Sequence, residues 1–172
     1  YFVQGGGLSV IEISSEDKIE IINDEGKQIC EVIVFNSKGK CDLSILNLKV
    51  NGDAGFSKKV ISQDEKVSKL FKRKNLDLDK AKSSIIFDKD CLVGEKVILK
   101  SKDKCTIMIA APGEAMNVHE QNPPTDLTVF LNKSKFEESE EQFLLPEPLG
   151  DPSFEKLVKR RTAEIYEVKK GE

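Results

Sequence analysis

The only histidine of the 172-residue sequence, His119, lies in a polar loop with two acidic residues close by. These are Glu114 and Glu120, and the loop runs from Pro112-Gly113 to Pro123-Pro124. Proline restricts φ and glycine accepts positive φ, so Pro112-Gly113 predicts a turn, while the proline pair keeps the loop exit extended. A loop that is stiffened at both ends can hold a binding group in place. The alternative is an irregular connection between strands with a surface histidine.

Histidine and cysteine together could bind zinc or perform nucleophilic catalysis. The sequence has four cysteines, which are Cys30, Cys41, Cys91 and Cys105. None of them forms a Cys-x-x-Cys pair, and three lie in or beside apolar runs, which predicts reduced thiols in the core. A zinc cluster built from these cysteines and His119 stays open as an alternative. No nucleophile and base stand at a recognisable local spacing, although such partners can be distant in sequence.

We therefore assign no catalytic, cofactor-binding or metal-binding residue within this sequence. The loop is instead the best candidate for an interface or a ligand contact. The residues predicted for that role are Glu114, Met116, His119, Glu120 and Asp126.

The segments on either side of the loop, 105–111 and 127–131, are apolar runs of strand length. Similar short runs, separated by Gly, Asn and Asp turns, occur at 8–13, 18–22, 29–35, 42–50, 84–87 and 96–99. The turn at 23–26 suggests a hairpin. This pattern is typical of all-β folds. The sequence predicts a mainly β domain, a two-sheet sandwich or a barrel-like domain, with one or two short helices.

The middle of the sequence has the periodicity of a helix. The segment 62–65 (SQDE) fits a capping box, in which Ser62 would cap the first turn. Val67, Leu70 and Phe71 then fall on one face, which predicts a helix that ends near Asn75. A second short helical turn is expected over 77–83.

The sequence as a whole divides into three parts. Residues 1–134 are predicted to form the β-rich domain, and residues 135–161 form an acidic and proline-rich linker. Residues 164–171 (EIYEVKKG) echo the pattern that begins at Val10 (VIEISS). We therefore expect 162–172 to be the first strand of a related second domain that is cut off, so that the sequence is a fragment of a longer protein.

Composition excludes some classes of function. Acidic and basic residues nearly balance at a net charge of −3, which argues against nucleic-acid binding. No apolar run approaches the roughly 20 residues of a membrane span, and the first residues lack the features of a signal peptide. The sequence predicts a cytoplasmic protein with neither nucleic-acid nor membrane partners.

Two motifs resemble a known family. The segment 21–31 (IINDEGKQICE), followed by Phe35, resembles the core motif of the urea carboxylase-associated and aminomethyltransferase-associated proteins. The segment 112–129 is similar to the end of the N-terminal domain of that family. The combination resembles the N-terminal region of trimethylamine N-oxide demethylase-type enzymes. The sequence departs from the motif at Glu31, where the family has Asp, and at Val32, where it has Phe.

The resemblance implies a non-catalytic N-terminal structural or assembly module of a demethylating enzyme in one-carbon metabolism. In such enzymes a related second domain binds zinc and the N-oxide, and a C-terminal aminomethyltransferase-like domain binds tetrahydrofolate. Zinc and tetrahydrofolate are thus implied for the parent protein, with no cofactor in this fragment. The implied partners are other domains of the same chain and further copies in a homo-oligomer.

Two other functions remain open. The sequence could form a free-standing β protein that binds a small molecule through the His119 loop, or an enzyme with its own Cys/His site. An accessory module differs from a free-standing protein in one respect that can be observed: it should expose an apolar patch when it is viewed alone.

Overall fold

The computed structural model of the protein describes residues 1–113 and 123–134. It contains eight strands, a short 3₁₀ helix and two α-helices in this part of the chain. The strands are β1 Phe2–Val3, β2 Leu8–Ile13, β3 Lys18–Asn23, β4 Glu31–Asn36, β5 Ser84–Ile85, β6 Glu95–Lys100, β7 Cys105–Ala110 and β8 Leu127–Asn132. The 3₁₀ helix is Leu43–Leu46, and the α-helices are α1 Gly55–Gln63 and α2 Glu65–Arg73.

The strands form two antiparallel four-stranded sheets. Sheet A has the order β1-β8-β3-β6, and sheet B has the order β2-β7-β4-β5. The two runs that flank the His119 loop therefore belong to different sheets, β7 to sheet B and β8 to sheet A. The predicted fold class, a mainly β two-sheet sandwich with one or two short helices, is confirmed.

The main core lies between the sheets and is built from alternate residues of their strands. Because side chains alternate across a strand, every second residue of each strand faces the opposite sheet. These buried residues include Ile11, Ile13, Ile19, Ile21, Val32, Val34, Leu99, Ile107, Ile109, Leu127 and Val129.

A second apolar layer covers the outer face of sheet B. Ile33 and Phe35 of β4 and Met108 of β7 are fully buried beneath the helices. The ring of Phe35 packs edge-to-face against that of Phe71 from α2, with centroids 6.5 Å apart. Sheet B is consequently the middle of three layers.

The structure corrects the prediction for the helical region. The expected capping box is wrong, since the Ser62 hydroxyl donates to the carbonyl of Lys59. The chain leaves helical geometry at Asp64, whose carboxylate accepts from the backbone N–H of Val67 and so caps α2. The expected helix corresponds to α2, and α1 is a second helix that the sequence did not predict. The helical region ends near Asn75, as predicted, where φ is +54°.

Two other expectations are wrong. The apolar segment 42–50 is not a strand, because Leu43, Ile45 and Leu46 turn their side chains into the core from the 3₁₀ helix. The segment 77–83 contains a turn and no helix.

The turn at 23–26 is not the hairpin that the sequence suggests. It carries the chain from sheet A to sheet B, so β3 pairs with β6 and β8, while β4 pairs with β5 and β7.

The chain divides into two compact units, Tyr1–Lys135 and Phe136–Glu172. The second unit lies outside the described residues, as do the acidic linker and the strand expected at 162–172. The boundaries proposed from the sequence thus remain predictions. Neither α1 nor α2, at nine residues each, could cross a bilayer, and the described residues contain no other α-helix.

Hydrogen bonds of the Asp17 side chain hold the β2–β3 turn against the chain just after β8. One carboxylate oxygen accepts from the N–H of Ser134 at 2.8 Å and from its hydroxyl at 3.2 Å. The other accepts from the N–H of Ser14 at 2.9 Å. Burial alone would raise the pKa of Asp17, but these hydrogen bonds outweigh it and leave the pKa lowered.

This arrangement predicts an acid-dependent loss of stability. Because the folded-state pKa of Asp17 is lowered, its contribution is complete above the pKa of the unfolded chain and is lost as pH falls through the folded-state pKa. Replacing Asp17 by Asn should lower the free energy of unfolding at pH 7 by about 1–3 kcal/mol. The difference in the free energy of unfolding between wild type and variant should be smaller at pH 3 than at pH 7.

Urea unfolding of the 172-residue chain at both pH values checks this prediction. The exposed Asp79, replaced by Asn, is the matched control and should have little effect. A deficit of the Asp17→Asn variant that is equally large at pH 7 and pH 3 would contradict the assignment.

Candidate functional site

The two ends of the His119 loop are held by one side chain, Gln28. It lies between β3 and β4 and is only 5% exposed. Its amide nitrogen donates to the carbonyl of Pro112 at 2.9 Å and to that of Ile29 at 2.7 Å. Its amide oxygen accepts from the N–H of Thr125 at 2.7 Å. Gln28 therefore fixes the point where the loop leaves sheet B and the point where it enters sheet A.

The backbone before Gln28 explains its position. Gly26 and Lys27 both have positive φ, at +74° and +59°. A Cβ at Gly26 would lie 2.8 Å from the backbone nitrogen of Val93, so only glycine allows this close approach. The N–H of Lys27 donates to the carbonyl of Cys91, which anchors the turn on the 91–94 loop. These contacts direct the next side chain, Gln28, inward.

The first residues of the chain support the same loop. The N–H of Gly5 donates to the carboxylate of Asp126 at 2.7 Å, and the N–H of Gly6 donates to the carbonyl of Ala111 at 2.8 Å. A Cβ at Gly5 would lie 2.3 Å from the carbonyl oxygen of Pro124. The segment 4–7 is thus packed against both ends of the loop.

Of the predicted loop residues, the structure places only Asp126, and its carboxylate ties the loop exit to the start of the chain. The other four, Glu114, Met116, His119 and Glu120, lie outside the described residues. Their role as an interface or ligand surface stays a prediction.

A surface pocket of about 370 Å³ lies beside the Gln28 side chain, within the size range of small-molecule sites. It is lined by Glu25, Gly26, Lys27, Gln28, Ile29, Lys89, Pro112, Pro123, Pro124 and Thr125. The amide of Gln28 already uses both its oxygen and its nitrogen to hold the loop. The buried amide of Gln28 therefore serves structure before ligand binding.

Glu31, the last residue of the 21–31 motif, has a structural role. Its side chain is 5% exposed and points from β4 to the N-terminus of α1. One carboxylate oxygen accepts from the N–H of Ser57 at 2.9 Å and from the Ser57 hydroxyl at 2.5 Å. The residue before the helix, Ala54, offers no side-chain cap, so Glu31 supplies the acceptor that the first turn requires.

Three of the four cysteines are buried thiols, as the sequence predicted. Burial raises the pKa of Cys30, Cys91 and Cys105, and the nearby Glu31 carboxylate raises that of Cys30 further. A protonated thiol is a poor nucleophile and a poor metal ligand. Cys41 is half-buried. Within residues 1–113 and 123–134 no cluster of three or more His, Cys, Asp or Glu side chains is arranged to hold a metal ion.

Removing the Gln28 side chain should loosen the loop ends. We expect Gln28→Ala to reduce the free energy of unfolding by about 2 kcal/mol or more, because it leaves the N–H of Thr125 and the carbonyl of Pro112 without a partner. Hydrogen exchange at the Thr125 amide should accelerate in the same variant. Gln63→Ala, at an exposed position of α1, is the matched control. Unchanged exchange at Thr125 would show that Gln28 does not hold the loop.

The thiols should differ sharply in reactivity. In the native chain at pH 8, a thiol-specific reagent should modify only the half-buried Cys41 quickly, while the three buried thiols react only after unfolding. A Cys41→Ser variant should then show no fast phase. Fast modification of Cys30 in the folded protein would contradict the burial and the raised pKa described above.

Comparison with known proteins gives one informative relationship. No family model matches the chain. Over its whole length, however, it is 31% identical across 176 aligned positions to trimethylamine-oxide aldolase from Ruegeria pomeroyi (strain ATCC 700808 / DSM 15171 / DSS-3). The chain spans 22% of the length of that enzyme. The chain is therefore related in sequence to one segment of a much longer enzyme with that name.

Proposed function

We propose that this chain forms a non-catalytic structural and assembly module of an enzyme that demethylates trimethylamine N-oxide. The observation that carries this proposal is the sequence similarity, which covers the entire chain but only 22% of trimethylamine-oxide aldolase. Most of the length of such an enzyme lies outside the matched segment. The catalytic residues would lie in that remaining part.

The proposed reaction converts trimethylamine N-oxide into dimethylamine and formaldehyde. One methyl carbon leaves with the oxygen atom as formaldehyde, and the remaining atoms form the amine, so no external oxidant is required. By the family resemblance, zinc and tetrahydrofolate would bind other domains of the parent protein.

The polar side chains of the sandwich favour a structural role. Asp17, Gln28 and Glu31 are buried and bound to backbone groups, which they hold in place. Asp126 is similarly engaged with the N–H of Gly5. Acid–base catalysis requires a group that is free to exchange a proton with the substrate. These four side chains instead stabilise the positions of loops and of a helix.

A free-standing protein that binds a small molecule is the second candidate, and the pocket beside Gln28 is the observation in its favour. A simple measurement on the natural protein distinguishes the two functions. An assay for formaldehyde and dimethylamine after addition of trimethylamine N-oxide should be positive only for the first.

The proposed partners are other domains of the same chain and further copies in a homo-oligomer. We propose the loop from Pro112 to Pro124 as one contact surface, because its prolines reduce the entropy lost when an interface orders. His119 would then be a contact residue or a surface residue.

Replacing His119 by Ala in the full-length enzyme should lower the demethylation rate by less than about tenfold, or roughly 1.4 kcal/mol of transition-state energy. Asn117→Ala in the same loop is the control. Deletion of residues 1–150 should impair assembly or stability. A His119→Ala enzyme that assembles normally but loses a thousandfold in rate would show that the catalytic centre lies in this module.

A further inference from the structure

The two outer faces of the sandwich differ in their covering. On sheet B, α1 and α2 bury Ile33, Phe35 and Met108 completely. On sheet A, large apolar side chains point outward and remain exposed in the described part of the chain. Phe130 is 52% exposed, Ile98 57% and Phe2 60%.

The strand register brings these residues together. Glu20 of β3 pairs with Phe130 of β8 on one side and with Ile98 of β6 on the other, so the three side chains stand in one row. Phe2 of β1 pairs with Thr128, two residues from Phe130 on the same face. We call the surface formed by Phe2, Ile98 and Phe130 the open face of sheet A.

Charged side chains lie between and beside the apolar residues of the open face. Lys96 forms an ion pair with Glu20 at 2.9 Å, which leaves only 20% of the Glu20 side chain exposed. Beyond the row of Phe130 and Ile98, the next row contains Lys18 and Lys100, paired in register. Lys100 forms an ion pair with Glu16, whereas no partner is recorded for Lys18 among the described residues.

A sheet face that meets water usually carries polar residues. Large apolar side chains exposed together on one face of a sheet are instead typical of an interaction surface. An exposed apolar patch is also the feature expected of an accessory module viewed alone.

We propose that the open face of sheet A docks onto another domain of the same polypeptide. That domain would present an apolar surface to Phe130 and Ile98 and a carboxylate to Lys18. This inference rests on the proposed function, since most of the related aldolase lies outside the segment that the chain matches. That domain would then cover sheet A in the way that the two helices cover sheet B.

Hydroxyl-radical footprinting of the full-length natural protein tests this proposal. Phe130 and Ile98 should be labelled much more slowly than Leu92, which is 74% exposed on the 91–94 loop and serves as the internal control. The protection should be independent of protein concentration. Labelling of Phe130 as fast as its 52% exposure predicts would overturn the proposal. Protection that disappears on dilution to the monomer would also overturn it, in favour of contact with a second copy.

A pair of variants gives an independent measurement. Phe130→Ser in the full-length protein should increase the labelling of Ile98 at least about threefold, since loss of an aromatic anchor at the centre of an interface weakens the whole contact. Leu92→Ser should leave Ile98 unchanged. Equal labelling of Ile98 in both variants would contradict the proposal. The demethylation assay is separate, so an active enzyme with an unprotected face disproves the docking and not the function.

Discussion

Sheet B is apolar on both faces, and the arrangement of the other elements follows from this constraint. Its central strands, β4 and β7, are buried almost throughout. One face requires a second sheet and the other requires a layer of helices, because exposed apolar surface on either side would cost free energy in water. The long connection between β4 and β5 supplies that helical layer. Glu31, the first residue of β4, then uses its buried carboxylate to cap the helix that the same connection provides.

The strands could be predicted because their signal is local. Each is a short apolar or alternating run bounded by turn residues, and the structure places strands at nearly all of those runs. The partners of the strands could not be predicted, because pairing depends on contacts far apart in sequence. The turn at 23–26 therefore looks like a hairpin, although it carries the chain between sheets. The segment 42–50 was wrongly predicted to be a strand for a related reason. An apolar run does not by itself distinguish a strand from a short helical turn.

The candidate site could likewise be predicted only in part from the sequence. Residues 111–113 and 123–126 lie outside strands β7 and β8, as the prolines and Gly113 indicated. The sequence did not reveal that Gln28, far away along the chain, bonds to both ends of that loop. A glutamine two residues after a glycine turn is a weak signal without knowledge of what lies beside it. Asp126 was predicted as an interface or ligand residue, and the structure shows its carboxylate accepting a hydrogen bond from the backbone N–H of Gly5.

The contact between Glu31 and Ser57 has an evolutionary consequence. The carboxylate spans the gap between a strand and the first turn of α1, so the length of that side chain sets the separation of the two elements. An aspartate at this position would be shorter by one methylene and would not span the same gap. Proteins with the shorter residue are expected to compensate by drawing the helix closer or by altering its first turn. Positions 31 and 57 should therefore co-vary among homologues, and their joint changes would record how the helical layer shifted as the fold diversified.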